Sequence, residues 1–345
     1  RGALLAAPFD LERLEVMGPP VVLLEGVNVK LGSASQFAVS ATGALLYQTA
    51  PADLRELVWV SRTGATEPVD PTWTGGFSSP ALSPDGRRLA VSGATGQGSD
   101  IWIKDLEGGF PFMMALDRSL NGSTAWSPDG RSLTVSSSQG QPGAQWSMRA
   151  WNVHASGAMP TVASDWEVRG ADPHWSPDGQ WLVYRSGFLE SEIRGFSPQH
   201  GAVPVPIVTD EPGARNAAIS PDGAWLAYTS SQTGRDEVYV RPFPNTADAR
   251  WVVSTTGGIE PAWAHGGGEL FYRNGQRQFV SVSVQTSPGF SVGPPNLLFT
   301  ATSFGSSVLR AQYVVAPDDQ RFLMIRQQSG DAVGSLVLLW NVLGP

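Results

Sequence analysis

The sequence contains no cysteine, which excludes disulfide bonds, zinc–thiolate sites and cysteine nucleophiles. Only Lys30 and Lys104 are lysines among 23 basic residues, and 31 acidic residues bring the net charge to −8. Nucleic-acid phosphates need a basic surface, so no nucleic-acid partner is predicted. No apolar run reaches the roughly 20 residues of a membrane span, so no transmembrane segment is predicted in this chain. Because the chain starts at Arg1 and not at methionine, we expect a mature or truncated form.

Motifs for catalysis are also missing from the sequence. There is no glycine-rich nucleotide loop with a strand lysine, no H-R-D and no D-F-G, so kinase activity is excluded. A single G-x-S-x-G string lies at residues 289–293, but a nucleophile elbow needs a strand–turn–helix, and no helical periodicity surrounds it. The histidines follow no metal-ligand spacing; they are His154, His174, His200 and His265. The sequence therefore predicts no catalytic residue, no metal site and no cofactor.

A repeated tetrapeptide, S-P-D-G, organises the chain. Proline suits the second position of a tight type I turn and glycine suits its last position. The identical copies begin at Ser83, Ser127, Ser176 and Ser220, and the weaker copies are Ser40–Gly43, Ala264–Gly267 and Ala316–Asp319. The fourth residue of each copy follows that of the previous copy by 43 to 52 residues. This period is typical of a propeller blade.

The stretch Ala218–Pro244 shows what one repeat contains. An apolar run ends at Ile219, the turn follows, and Trp225–Tyr228 reads as the returning strand. Glu237–Arg241 then alternates with period 2, which indicates a third strand. The sequence therefore predicts an all-β fold, a β-propeller of four-stranded antiparallel blades. Seven blades are the main prediction, with six and eight as alternatives.

The predicted domain is a single propeller over residues 1–345. Its ring is closed by pairing of N- and C-terminal strands, because closure removes exposed edges. In this prediction the N-terminal strands at 3–27 complete the last blade, 308–343, with Pro20–Leu24 as its outer strand. One conflict stays open, since Leu4–Pro8 and Leu336–Val342 both look like third strands.

The tetrapeptide and its flanks resemble the WD40-like (PD40) repeat of the TolB-type propellers. Residues 234–244, G-R-D-E-V-Y-V-R-P-F-P, and 257–263, G-G-I-E-P-A-W, resemble the C-terminal propeller of bacterial serine/threonine protein kinases. The turns at 264–267 and 316–319 depart from the repeat, and no kinase domain is present. The resemblance implies an extracytoplasmic sensor or interaction module.

Candidate binding residues lie outside the repeated positions. Trp126, Trp175 and Trp263 recur before the turns and are predicted to pack between blades. Other aromatic and arginine side chains fall in loops that a propeller places on the face opposite the turns, and such residues are frequent in interaction hot spots. Alternatively, they cover blade edges. The candidates are Trp73, Phe77, Trp146, Trp166, Arg169, Phe188, Arg215 and Arg235.

The predicted function is a non-catalytic scaffold for protein–protein interaction or ligand sensing. As a chain without a kinase domain, it fits an accessory subunit docked on a larger, membrane-associated complex. We expect a protein partner and an extracytoplasmic (periplasmic) location, including the periphery of a membrane, with the cytoplasm as the alternative. The alternative function is a propeller hydrolase, or the propeller part of a peptidase.

Overall fold

The computed structural model describes residues 2–27, 36–40, 42–48, 54–95, 98–114, 120–138, 145–153, 161–187, 190–201, 203–211, 213–307, 309–327 and 336–340. The chain divides into two compact units, which are described separately. The smaller unit comprises residues 1–53 and 328–345. The larger unit comprises residues 54–327.

The described residues are almost entirely strands and turns, with one short 3-10 helix at Pro198–His200. The first strands are β1 (Gly2–Ala6), β2 (Phe9–Asp10), β3 (Glu15–Val16), β4 (Val21–Val27), β5 (Phe37–Val39), β6 (Leu45–Gln48), β7 (Arg55–Ser61), β8 (Thr66–Pro68), β9 (Thr74–Gly75), β10 (Phe77–Leu82) and β11 (Arg88–Thr95). They are followed by β12 (Gly98–Asp105), β13 (Phe112–Met114), β14 (Leu120–Trp126), β15 (Ser132–Ser138), β16 (Ser147–Asn152), β17 (Thr161–Val162), β18 (Val168–Arg169), β19 (Ala171–Trp175), β20 (Leu182–Ser186), β21 (Glu192–Phe196) and β22 (Val205–Val208). The last are β23 (Arg215–Ile219), β24 (Trp225–Ser230), β25 (Glu237–Pro242), β26 (Trp251–Val252), β27 (Gly258–Trp263), β28 (Glu269–Asn274), β29 (Gln278–Gln285), β30 (Ser291–Thr300), β31 (Tyr313–Val315), β32 (Arg321–Gln327) and β33 (Leu336–Leu339).

The larger unit is built from antiparallel sheets in chain order. Blade 1 is β10–β13, blade 2 is β14–β17, blade 3 is β19–β22, blade 4 is β23–β26 and blade 5 is β27–β30. Blades 1 and 2 share one parallel pair, Ser99 with Leu120. Blade 6 has the order β31-β32-β7-β8, so its two halves come from opposite ends of the unit.

The inner strands of the six blades form a closed cycle. Each contacts the inner strand of the next blade, and β31 of blade 6 contacts β10 of blade 1. The cycle is sealed because β32 pairs with β7 over seven residues, from Arg321 opposite Ser61 to Gln327 opposite Arg55. This is a β-propeller closed by an N-terminal and a C-terminal strand, as predicted.

The closing strand differs from the predicted one. Pro20–Leu24 was predicted to complete the last blade, but β4 pairs with β1 in the smaller unit and β7 completes blade 6. The strand β33, predicted as the third strand of the last blade, pairs with β6 instead. The physical reason is burial: Leu57, Val58 and Val60 of β7 are at most 1% exposed, whereas Val21 and Val22 of β4 are more than half exposed.

The blade count of seven is not confirmed. The described part of residues 54–327 contains six blades, and the turn at Ser40–Gly43 lies in the smaller unit, between β5 and β6. In that turn the Gly43 N–H donates to the Ser40 carbonyl, as in the turns of the larger unit. The sequence therefore identified a true copy of the turn, although its strands belong to the sheet β33-β6-β5.

The S-P-D-G turns are held by one repeated set of hydrogen bonds. In each of the four turns the serine hydroxyl donates to the aspartate Oδ1 at 2.5 Å. The same hydroxyl accepts a backbone N–H from the residue five positions later, at 2.9 to 3.0 Å. The turns therefore fix the angle at which each second strand returns.

The predicted tryptophan positions pack between blades. Trp126 and Trp263 are 6% and 7% exposed. Their indole N–H groups donate across the blade boundary, to the carbonyl oxygens of Ala81 and Ala218 at 3.1 and 3.0 Å. Trp175 donates to Thr134 Oγ1 of blade 2 at 3.0 Å. Each indole thus ties its blade to the preceding one.

Candidate functional site

An axial channel of about 510 Å³ runs through the larger unit, and all six inner strands line it. Five of these strands carry a register shift that bends them along the channel. In four blades the residue at this bend has a left-handed backbone conformation: Ser79, Asp172, Asn216 and Glu260, with φ between 52° and 57°. Ser79, Asp172 and Asn216 line one end of the channel, which is called the polar end below, and Glu260 is fully buried at the same strand position in blade 5.

The opposite end, called the turn end, is lined by the repeated turns. Pro84, Pro128, Pro177, Pro221 and Pro317 stand here, and His265 takes the equivalent place in blade 5. Blade 5 compensates for its irregular turn through Asp319 of blade 6. The Asp319 carboxylate accepts the backbone N–H of His265 at 2.8 Å and that of Gly266 at 3.1 Å. It also contacts the ring Nδ1 of His265 at 2.9 Å.

Small residues line the middle of the channel in most blades, but blade 3 contributes His174. The equivalent positions in other blades include Ala81, Ala125 and Ala262. Burial lowers the pKa of His174 to about 4, despite a hydrogen bond to the backbone of Ile219. His174 is therefore neutral near pH 7 and adds no charge to the channel.

In blades 2, 3 and 5, a polar residue of the inner strand contacts the residue 13 positions later on the second strand. In blade 3, Asp172 Oδ2 contacts Arg185 Nε at 2.7 Å, and in blade 5, Glu260 Oε2 contacts Arg273 Nε at 2.7 Å. In blade 2 the equivalent pair is Ser123 with Ser136, whose hydroxyls are 3.0 Å apart. Each of these side chains therefore has at least one partner, although Arg273 Nη2 has none among the described residues.

Blade 4 departs from this pattern. Its pair is Asn216 with Thr229, and the two residues are 7% and 0% exposed. The Asn216 Oδ1 and Nδ2 and the Thr229 Oγ1 have no hydrogen-bond partner among the described residues. The Ser79 hydroxyl of blade 1 is also buried without a described partner. Buried polar groups are normally satisfied, so this end of the channel is locally incomplete.

Arg310, just before β31, also lines the channel. Its guanidinium makes no hydrogen bond or ion pair with any described residue. Burial lowers the pKa of Arg310; Asp172 acts in the opposite direction, and Arg185 and Arg55 add to the lowering. The polar end therefore holds two paired carboxylates, Asp172 and Glu260, and one guanidinium, that of Arg310, without a hydrogen-bonded partner among the described residues, so its net charge is positive.

A second surface lies in the smaller unit, on the hairpin formed by β2 and β3. This apolar hairpin, residues 9–17, exposes five large apolar side chains at 51% to 81%: Phe9, Leu11, Leu14, Val16 and Met17. Asp10 Oδ1 holds its turn by accepting the N–H groups of Glu12 and Arg13, at 2.9 and 3.0 Å. The hairpin therefore presents its apolar residues on a defined turn.

The described candidates predicted from the sequence lie at separate places in the larger unit, beside β10, around β16–β18, in β23 and before β25. Phe77 is 3% exposed and contacts Trp73 edge to face, while Trp166 contacts Phe196 in the same way. These residues pack within the fold, which is the alternative that the sequence left open. Trp146 is half-buried, and its ring leaves no room for a side chain at Gly122.

Among the candidate arginines, Arg215 is buried and pairs with Asp236 at 2.6 Å. Arg235 is exposed and pairs with Glu237 at 2.5 Å. Arg169 is exposed on β18. Phe188 lies outside the described residues. A binding role for Arg169 and Arg235 stays a prediction.

Sequence reasoning missed both the polar end and the apolar hairpin. The polar end had a signal, because Asn216 replaces the acidic residue found at the same place relative to the turn in blades 3 and 5. The hairpin had none, since alternating apolar residues at 9–17 also fit a buried strand.

Within the described ranges, no helix is long and apolar enough to cross a membrane, and no group of three or more histidine, aspartate or glutamate side chains is arranged to hold a metal ion.

Comparisons with known proteins give matches among solved structures. No protein-family model matches this chain, and no curated protein matches its sequence. The chain is similar to a putative TolB from Agrobacterium tumefaciens, with 16% identity and a TM-score of 0.55 over 79% of this chain and 98% of that one. It is also similar to a chain of the Kuenenia stuttgartiensis hydrazine synthase, with 15% identity and a TM-score of 0.52 over 91% of this chain and 99% of that one. At such identity the likeness shows the fold, a TolB-like β-propeller, and the resemblance to kinase-linked propellers stays a prediction.

Proposed function

We propose that this TolB-like β-propeller is a non-catalytic scaffold that binds a protein partner through the apolar hairpin. The observation that carries the proposal is the exposure of five large apolar side chains within nine residues, 9–17. Exposed apolar side chains grouped in this way are typical of protein–protein contact sites. The larger unit supplies a rigid body, because its turns are held by their own hydrogen bonds and three of its blade boundaries carry a tryptophan hydrogen bond.

The absence of catalysis is part of the proposal. The turn aspartates are the most frequent carboxylates of the repeat, and each is hydrogen-bonded to its own serine. The buried carboxylates Asp172 and Glu260 are held by arginines. These contacts favour structural roles over acid–base roles. A panel of hydrolase substrates tests this part, and turnover that survives purification would overturn it.

The resemblance of the repeats to kinase-linked and TolB-type propellers supports an extracytoplasmic location. It also supports a role as an accessory subunit of a larger, membrane-associated assembly. Fractionation of the native cells tests both points, since the chain should appear outside the cytoplasm and co-migrate with the larger assembly.

The partner is tested by purification from the native source with a double variant, Leu11→Glu/Leu14→Glu. We expect the wild-type chain to retain a stoichiometric protein partner and the variant to lose it. Phe110→Glu is the matched control, because Phe110 is 96% exposed as a single residue in the larger unit. A monodisperse wild-type monomer without a partner, or equal retention by the hairpin variant, would contradict the proposal.

A further inference from the structure

The polar end of the channel holds several buried groups that can form hydrogen bonds but have no partner. The Asn216 amide offers both a donor, Nδ2, and an acceptor, Oδ1, and the side chain is 93% buried because only 7% is exposed. The Ser79 hydroxyl is 5% exposed and equally without a described partner. Both residues line the channel. A buried donor or acceptor without a partner destabilises a protein by about 1–3 kcal/mol.

The neighbouring blades show that the fold is able to satisfy this position. At the equivalent place, blades 3 and 5 carry an acidic residue paired with an arginine, and blade 2 carries a pair of serines. Blade 4 alone among these four has Asn216 and Thr229, with three unpartnered polar atoms. Positions where a repeat breaks its own local rule are expected at functional sites. The break in blade 4 therefore points to a ligand.

The charge of the polar end indicates which kind of ligand would bind there. Arg310 lines the channel, and no described residue forms an ion pair or hydrogen bond with its guanidinium. The nearby Asp172 is already engaged by Arg185 at 2.7 Å. Burial lowers the pKa of His174 to about 4, so His174 is neutral near pH 7. One uncompensated guanidinium beside neutral donors suits a group with a single negative charge, and arginine binds carboxylates with particular geometric fit.

The rest of the channel is suited to an apolar body. The residues that line it include Trp126, Trp175, Trp263 and Tyr313. Its volume of about 510 Å³ lies within the range of small-molecule sites, roughly 300–1,000 Å³. Such sites typically combine an apolar lining with a few placed polar groups.

We propose that the polar end of the channel binds a small organic carboxylate with an apolar body. The Arg310 guanidinium and the Asn216 Nδ2 donate hydrogen bonds to the carboxylate, and Asn216 Oδ1 accepts one from a donor on the ligand. The apolar body lies along the tryptophan wall toward the turn end. An inorganic phosphate dianion fits less well, because Arg310 would leave part of its charge unbalanced.

The test uses 3-phenylpropionate as the probe and 3-phenylpropanamide as its neutral counterpart. Both are titrated into the full chain and followed through the tryptophan indole N–H signals in 1H–15N spectra. We expect saturable binding of the carboxylate and at least about tenfold weaker binding of the amide, since one charged hydrogen-bonded partner is lost. Arg310→Gln should weaken binding of the carboxylate by a similar factor and leave binding of the amide unchanged.

A second variant separates this effect from misfolding. Asn216→Gly keeps the left-handed backbone, because glycine adopts φ near 52° without strain, and it removes both unpartnered atoms. Asn216→Gly should weaken binding of the carboxylate by about threefold to tenfold. Arg277→Gln is the matched control, since Arg277 is exposed and its described hydrogen bond goes to the Thr302 carbonyl. Equal binding of acid and amide, no saturation by the acid, unchanged affinity in Arg310→Gln, or displacement of the acid by equimolar inorganic phosphate would overturn the proposal.

Discussion

The two ends of the axial channel differ in how far their side-chain contacts repeat from blade to blade. At the turn end, four blades repeat one set of hydrogen bonds, and the irregular turns of blades 5 and 6 are joined through Asp319. At the polar end the blades differ: charged pairs in two, hydroxyl groups in another, and an unsatisfied Asn216 in blade 4. The repeat therefore fixes the architecture from the turn end, while the polar end is free to vary from blade to blade. This separation is what allows a repeated fold to carry a single asymmetric site.

The largest effect is expected from breaking a satisfied pair at the polar end. Arg273→Met leaves the Glu260 carboxylate buried without its cation, and we expect the free energy of unfolding to fall by about 3–5 kcal/mol. Urea denaturation measures this change in the free energy of unfolding. The double variant Glu260→Gln/Arg273→Met should recover much of the loss, because no charge is then left buried. Arg87→Met, which removes an exposed pair with Glu107, is the control and should change stability by less than about 1 kcal/mol. An equal loss in the double and single variants would show that packing, not charge, dominates.

A smaller effect is expected from one turn. Ser220 is fully buried, donates to Asp222 and accepts the Trp225 N–H. Ser220→Ala should lower the free energy of unfolding by about 1–3 kcal/mol. The exposed Ser306→Ala should change it by less than about 0.5 kcal/mol. If the two variants were equally stable, the turn hydrogen bonds would not be what fixes the turn end.

Acid should weaken the turn end through its aspartates. The serine hydroxyl of each turn, followed by a backbone N–H, lowers the pKa of Asp85, Asp129 and Asp178. A carboxyl with a lowered folded-state pKa stabilises the fold above its unfolded pKa, near 3.9, and this contribution is lost as the pH falls further. Urea midpoints measured from pH 6 to pH 2.5 should therefore drop below about pH 4.

The variant Asp85→Asn/Asp129→Asn/Asp178→Asn should flatten this drop. Part of the slope should remain from Asp70, whose pKa is lowered to about 2 by the Thr72 hydroxyl and by Lys104. An unchanged slope in the triple variant would assign acid sensitivity to groups away from the turns.

The smallest effect is expected at blade 4. Asn216→Gly removes two unpartnered polar atoms, which favours folding, and adds the backbone entropy of glycine to the unfolded chain, which opposes it, so the free energy of unfolding without ligand should stay within about 1 kcal/mol of wild type. Asn216→Ala should be less stable than Asn216→Gly by about 1 kcal/mol, because alanine is strained at this left-handed position. A loss of several kcal/mol in Asn216→Gly would mean that Asn216 is structural, like Glu260.

The turn motif made most of the fold predictable. Proline, aspartate and glycine at fixed offsets identify each reversal, and the 43- to 52-residue period identifies the propeller. Strand partners were not predictable at the outermost repeats. The strands β7 and β33 are both short apolar runs that follow a second strand, and local sequence does not say which of the two pairs with β32 and which with β6.

The candidate site was harder to predict for a different reason. Large aromatic and arginine residues in loops looked like binding residues, but Phe77 and Arg215 are buried by their own blades. The polar end depends on a pairing 13 residues apart, which becomes visible only when a strand bulge and its partner strand are both known. Asn216 is a small polar residue without a motif of its own.

Closure of blade 6 has a consequence for how the ring assembles. The strands β7 and β32 are separated by some 260 residues, since Ser61 pairs with Arg321. On the ribosome, β7 emerges early and keeps an unpaired edge until nearly the whole unit has been synthesised. Its partner therefore arrives last, and the entropy of joining distant chain segments falls on that final step. The nascent chain is most vulnerable to aggregation just before its two ends meet.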